Sequence, residues 1–213
     1  MADEIDDAAW YRETCSRLTT SYLAGDNPRA QSGHSGDQNH WTQARRLIAD
    51  AVNRDGAFLD IGCANGFLLE CLVGWVSAKG YRIEPYGLDF SAELLELARK
   101  RSPQWTDRLF LGNAIDWDPA HRYDFVRTGL EYVPPKRQAD LVRRLLECVV
   151  VPGGRLIIGT FNEPKTRGED SSGEPSTEQL IMSWGFNISG RTDRPNFRDP
   201  AIVYRVVWID NPL

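Results

Sequence analysis

Long hydrophobic runs are missing from this 213-residue sequence. Nothing approaches the ~20 consecutive apolar residues that a membrane-spanning helix needs, so no membrane association is expected. Metal-site spacing is missing too. The four cysteines, Cys15, Cys63, Cys71 and Cys148, form no Cys-x-x-Cys pair, and the three histidines do not cluster beside them. No metal is therefore expected, and the thiols read as reduced and buried. Positive charge is in deficit, 25 Lys and Arg against 30 Asp and Glu for a net charge of −5. A phosphate backbone needs a basic face, so nucleic acid is not an expected partner. The basic groups Arg45-Arg46, Arg99-Lys100-Arg101 and Arg143-Arg144 fall on predicted helices and read as solvated helix faces. There are no internal repeats. The opening residues Met1 to Asp7 are acidic, which fits neither a secretory signal nor a transit peptide, and a cytoplasmic protein is expected.

What is present is ordinary globular composition, 41% hydrophobic and 26% charged. The length suits one domain with small additions. A first helix is predicted over Asp7 to Leu23, capped by an Asp and closed by Gly25. The polar stretch Asp26 to Asn39 reads as a loop. Ala44, Leu47, Ile48 and Ala51 set a helical period within Trp41 to Asn53. After Gly56 the pattern alternates. Strands are predicted at Ala57–Ile61, Ile83–Leu88, Arg108–Leu111, Tyr123–Arg127 and Arg155–Phe161. Helices fall between them, at Gly66–Lys79, from the Ser91 cap to Arg101, and from Pro134 to Val149. Asn162 to Pro175 is nearly devoid of apolar residues and reads as a mobile loop. Ser176 with Gln179 makes a capping box for a short helix. Two last strands, Phe186–Gly190 and Ala201–Ile209, are joined by too short a connection for a crossover, so they should be antiparallel. The fold class is α/β, a doubly wound three-layer sandwich. Its seven-stranded sheet should be mostly parallel, with an antiparallel last strand. Residues 1–56 are read as an N-terminal helical lid or extension, and 57–213 as the ligand-binding domain.

The informative run is Phe58-Leu59-Asp60-Ile61-Gly62-Cys63-Ala64-Asn65-Gly66-Phe67. An apolar strand ends in an acid, a Gly turn follows, and a helix begins. Glycines let the backbone turn sharply and approach a ligand, which then lies outside the carboxyl end of the strand. The run resembles motif I of class I S-adenosylmethionine-dependent methyltransferases, Asp/Glu-x-Gly-x-Gly-x-Gly, with Ala64 in place of the middle glycine. Asp89 closing the second strand, Gly112-Asn113-Ala114 after the third, Tyr123-Asp124-Phe125-Val126 as the fourth and the Pro152-Gly153-Gly154 turn before the fifth extend the resemblance from about Ala57 to the C-terminus.

The resemblance implies a Rossmann-like fold, S-adenosylmethionine as cofactor, and methyl transfer. Gly62, Cys63, Ala64 and Gly66 would form the donor turn. Asp60 would pair with the donor's ammonium, and Asp89 would accept from its ribose hydroxyls. Asn113 and Ala114 would hold the adenine, with Phe90 stacked on it. Thr128, Gly129 and Leu130 would lie beside the sulfonium. The acceptor is read as a small molecule, its accepting atom (O, N, S or C) undetermined. Glu131 and His34 are the candidate catalytic residues, and Trp41 and Tyr132 the candidate substrate-binding ones. A monomer or homodimer is expected. Two other readings stay open: a nicotinamide-dependent oxidoreductase, disfavoured because Asp60 would repel a pyrophosphate, and a non-catalytic donor-binding regulatory protein.

Overall fold

The structure is a computed structural model that describes residues 6–164, 175–196, 198–199 and 201–212. Seven strands form one sheet, β1 (Gly56–Ile61), β2 (Ile83–Asp89), β3 (Leu109–Leu111), β4 (Tyr123–Thr128), β5 (Val150–Pro164), β6 (Gly190–Pro195) and β7 (Ile202–Asp210). Their order across the sheet is β3-β2-β1-β4-β5-β7-β6. The pairs from β3 to β5 are parallel, and β7 runs antiparallel to both β5 and β6. The expected mostly parallel, Rossmann-like sheet is therefore present, with β7 as the reversed strand.

Alternation along each strand divides the core into two layers. Phe58, Ile157, Tyr204 and Val206 face α2 (Gln38–Arg45), α3 (Leu47–Asp50), α4 (Phe67–Ser77) and α5 (Ala92–Arg101). Leu59, Ile61, Leu156, Ile158 and Val207 face α6 (Gln138–Arg144) and α7 (Thr177–Ser183). Caps act where the sequence marks them. Asp6 accepts from Ala8 at the start of α1 (Asp7–Leu23), Ser91 caps α5, and the Ser176–Gln179 capping box opens α7. Asn162 to Pro175, read as a mobile loop, lies outside the described residues at 165–174.

Four details differ from expectation. The helix read over Trp41 to Asn53 breaks at Arg46 into α2 and α3. The helix read to Val149 ends as a π-helical turn over Leu145–Val149. The Pro-Gly-Gly segment lies inside β5 as an irregularity, with Gly153 at φ 74°. The sixth strand is displaced to Gly190–Pro195, because an edge strand with one solvent face accepts the polar alternation Arg191, Asp193 and Pro195.

The boundary drawn at residue 56 does not divide the packing. Trp41, Ala44, Leu47 and Ile48 of α2 and α3 are core residues, each no more than 1% exposed. Among the α-helices of the described residues, α1 alone has no buried residue in its 17. Its half-buried positions Tyr11, Thr14, Cys15, Leu18, Thr19 and Tyr22 recur at helical spacing, so one face rests on the domain. Leu156→Ala in β5 should cost about 2–5 kcal/mol of stability, whereas Arg12→Ala on the exposed face of α1 should stay within about 0.5 kcal/mol. Urea unfolding of the two variants measures this, and the amides of α1 should exchange with solvent before those of β1 and β4.

Candidate active site

The carboxyl ends of β1, β2, β4 and β5 converge on a cavity of about 240 Å³, which Trp10, Tyr11, Leu18 and Tyr22 of α1 also line. The floor is the turn after β1. Gly62 and Cys63 both donate their N–H to the Leu88 carbonyl (2.8 and 3.1 Å), which ties the turn to β2. Gly62 has φ 74°, and a Cβ there would meet the Tyr132 ring at 2.7 Å, so only glycine fits. Ala64, where the resembling motif has glycine, also has positive φ, 48°. This strain costs roughly 1 kcal/mol, and the Ala64 N–H donates to Asp89 Oδ2 at 2.8 Å. Asn65 anchors the other side. Its Oδ1 accepts from Ser32 Oγ (2.6 Å) and Phe67 N (3.2 Å), and its Nδ2 donates to the Pro28 carbonyl (3.0 Å). The loop after α1 is thereby fastened to the turn.

Asp89 ends β2 and is 4% exposed. Burial pushes its carboxyl up to about 6, opposed by the Ser91 and Ala64 N–H groups that donate to its two oxygens. Each oxygen keeps a lone pair for a further donor. Asn113 follows β3, and its Oδ1 accepts from Ile115 N at 3.1 Å. Phe90, Asn113 and Ala114 line the same end of the cavity.

At the other end stand two cations that the sequence reading did not assign to the site, Arg127 and Arg45. Asp60 is fully buried, and Arg127, its cross-strand neighbour in register on β4, donates to its Oδ1 at 3.1 Å. The same Arg127 Nη1 donates to the Tyr132 hydroxyl at 2.9 Å. Burial alone would weaken the Arg127 charge, but Tyr132, Asp60 and Glu131 around it hold it charged and raise its pKa. Burial raises the Asp60 carboxyl against the pull of Arg127, and it raises the Tyr132 phenol as well. Arg45 lies over the Phe161 ring at 3.5 Å from its centroid and near the Trp41 ring at 5.5 Å. Its Nη1 is buried without a hydrogen-bond partner. Burial, followed by repulsion from Arg127, lowers its pKa to about 10. The signal for Arg45 was present, since Trp41, Arg45 and Ile48 share the apolar face of the segment at i, i+4 and i+7. Exposed Arg46 is the solvated member of the pair.

The structure thus brings Gly62, Cys63, Ala64, Asp89, Phe90, Asn113, Ala114, Trp41, Glu131 and Tyr132 to one cavity. Asp60, Gly66, Thr128, Gly129, Leu130 and His34 are not among the residues lining it. Gly66 caps α4 behind the turn, and Thr128, Gly129 and Leu130 are buried. The Glu131 carboxylate folds back against Gly129. His34 is 8% exposed and packs edge-on to Trp41 (5.4 Å) and beside His40 (4.6 Å).

Burial, then Arg45 and His40, lower the His34 pKa to about 4, which keeps it neutral. Its ordinary value of 6.5 applies to the unfolded chain, so the stabilisation is complete above 6.5 and is lost as pH falls toward 4. Thermal melts of His34→Gln across pH 4 to 7 should show a flatter acid limb than the parent protein.

Comparisons with known proteins agree with this geometry. Residues 58–154 match the family model described as a methyltransferase domain. No curated protein is significantly similar in sequence. Among solved structures, 1,6-didemethyltoxoflavin-N1-methyltransferase of Burkholderia thailandensis, bound to 1,6-didemethyltoxoflavin and S-adenosylhomocysteine, superposes with a TM-score of 0.68 at 15% identity, covering 100% of this chain and 93% of its own. The N-methyltransferase NodS of Bradyrhizobium japonicum, in complex with S-adenosylhomocysteine, gives 0.58 at 14% identity, with 98% and 100% covered. The [4+2]-cyclase SpnF gives 0.65 at 16%, with 97% of each chain covered. At these identities the superpositions establish the fold alone. The family match falls on residues 58–154, which include most of β1, the turn after it and the strands β2 to β4.

Proposed function

We propose that this chain transfers a methyl group to a small-molecule acceptor, with the donor lying along the turn from Gly62 to Ala64 and the acceptor beside Trp41, Glu131 and Tyr132. The observation that carries the reading is the complementarity of the cavity's two ends. A buried carboxylate with free lone pairs, Asp89, and an amide, Asn113, suit a ribose diol and an adenine edge. Arg45, with its unpartnered Nη1, suits the carboxylate of an amino-acid tail. Bound S-adenosylmethionine supplies a methyl carbon already activated by its sulfonium.

The protein's own residues then have three tasks. Asp89, Asn113 and Arg45 orient the donor. Trp41, Phe161 and Tyr22 wall the cavity with rings that exclude water. Alignment of donor and acceptor by such walls can lower a barrier by about 7–11 kcal/mol. Glu131 is the carboxylate placed to take a proton from an oxygen or nitrogen acceptor, and an acceptor that arrives deprotonated does not need it. Helix α1 acts as the cover, because Trp10, Tyr11, Leu18 and Tyr22 line the cavity from a helix with no buried residue. Lys136 and Arg137 hold its first turn through Asp7 (3.2 and 2.9 Å). The acidic balance of the chain favours a small acceptor over a nucleic acid.

Calorimetry with S-adenosylhomocysteine and NADH tests the reading. Micromolar binding of the first and none of the second is expected. Asp89→Asn should weaken S-adenosylhomocysteine at least tenfold. Hydroxyl donors favour the ionised acid, so affinity in the parent protein should fall as pH drops below about 6, by up to roughly tenfold per unit, and Asp89→Asn should abolish that dependence. Leu18→Ala in α1 should weaken binding while leaving the unfolding midpoint unchanged. An unaltered affinity would remove α1 from the site.

A further inference from the structure

The acid ending the first strand of this fold invites the reading that it holds the donor's ammonium. In this chain the geometry points elsewhere. Asp60 is fully buried, and it is not part of the cavity wall. Its Oδ1 is taken by Arg127, and its Oδ2 is buried without a hydrogen-bond partner. Arg127 does reach the cavity, as does Tyr132.

We propose that Arg127 is the positioning residue of the donor turn: held in place by Asp60, it fixes Tyr132 over Gly62, and Tyr132 rather than Asp60 faces the amino-acid end of the donor. Three contacts carry the argument. One nitrogen of Arg127 donates to Asp60 Oδ1 at 3.1 Å and to the Tyr132 hydroxyl at 2.9 Å, and it lies 3.5 Å from the Ile61 carbonyl at the end of β1. The Tyr132 ring occupies the space that a side chain on Gly62 would need, so ring and turn are in contact. A guanidinium has no acceptor, so the phenol oxygen must accept from it. The phenol's own proton is then free to be donated into the cavity that Tyr132 lines. Asp60 supplies the countercharge that lets a guanidinium stay charged at 4% exposure.

This inference rests on the donor lying along the Gly62 turn, so its test uses binding in the full chain. The probes are S-adenosylhomocysteine, which carries the amino-acid tail, and 5′-methylthioadenosine, which lacks it. Titration calorimetry of Asp60→Asn, Arg127→Gln and the double variant should show each single change weakening S-adenosylhomocysteine tenfold or more. The double variant, an amide facing an amide, should bind no more weakly than either single one. 5′-Methylthioadenosine should stay within twofold throughout. Losses that multiply in the double variant overturn the proposal. A loss in Asp60→Asn with Arg127→Gln silent also overturns it and returns Asp60 to the ammonium. An equal loss for both ligands overturns it as general distortion.

If Arg127→Gln does not fold, Arg127→Lys and Tyr132→Phe replace it. The first keeps a cation opposite Asp60, and the second removes only the hydroxyl. Non-additive losses of severalfold from these two, confined to S-adenosylhomocysteine, support the proposal, and Tyr132→Phe at parental affinity overturns it. Absence of S-adenosylhomocysteine binding in the unaltered protein defeats the donor reading itself, an outcome separate from all of these.

Discussion

A buried charge pair between neighbouring strands governs the working end of this molecule. Asp60 and Arg127 stand side by side in the parallel register of β1 and β4, two residues beyond the Phe58–Phe125 pair. Alternation puts all four side chains on one face of the sheet. The first pair is apolar and closes the core. The second is ionic and opens the site. Such a pair is poor evidence for stability, because removing two charges from water costs several kcal/mol per ion, roughly what their attraction returns. What it supplies is a fixed arrangement. The strand ends, the Gly62 turn and the Tyr132 segment are held at one another through a single guanidinium.

The rest of the cavity is built on that frame in two grades of rigidity. Strand ends and the turn after β1 belong to the core, and Asn65 adds the loop from Pro28 to Ser32 by its side-chain bonds. Helix α1 has no such inclusion. It is tied at its first turn by ion pairs to Lys136 and Arg137, whose side chains are largely solvated, and surface pairs contribute little each. On the proposed reading of α1 as a cover, a ligand would enter by moving it without disturbing the sheet.

Most of the scaffold was legible in the sequence because periodicity and caps report on local structure. The strands β1 to β5, the Asp6, Ser91 and Ser176 caps and the antiparallel end pair all follow from residues within a few positions of one another. The turn after β1 was legible for the same reason, since acid, glycine spacing and helix start are contiguous. Arg127 and Arg45 were not read because their meaning depends on neighbours far along the chain. Arg127 matters through Asp60, 67 residues earlier, and through a register that no local pattern specifies. Arg45 sits beside exposed Arg46, so charge patterning assigned both to solvent, although its helical phase matches Trp41. His34 is the opposite case. A histidine between glycines invites a functional reading, but its ring lies behind the cavity wall, packed against Trp41 and His40.

The residues that break local rules here are concentrated around one cavity. Ala64 takes a left-handed conformation that glycine would adopt freely, Asp89 is a carboxylate buried at the end of a strand, and Arg45 is a cation on an apolar helix face. Each is unfavourable in isolation, and sequences that specify a single fold keep such conflicts rare unless a site requires them. Charges of both signs line the cavity: Asp89 and Glu131 are negative, Arg45 and Arg127 positive. A neutral ligand would leave Arg45 uncompensated in a region of low dielectric. On the proposed reading, a ligand with a carboxylate at one end and hydroxyls at the other would satisfy Arg45 and Asp89 together.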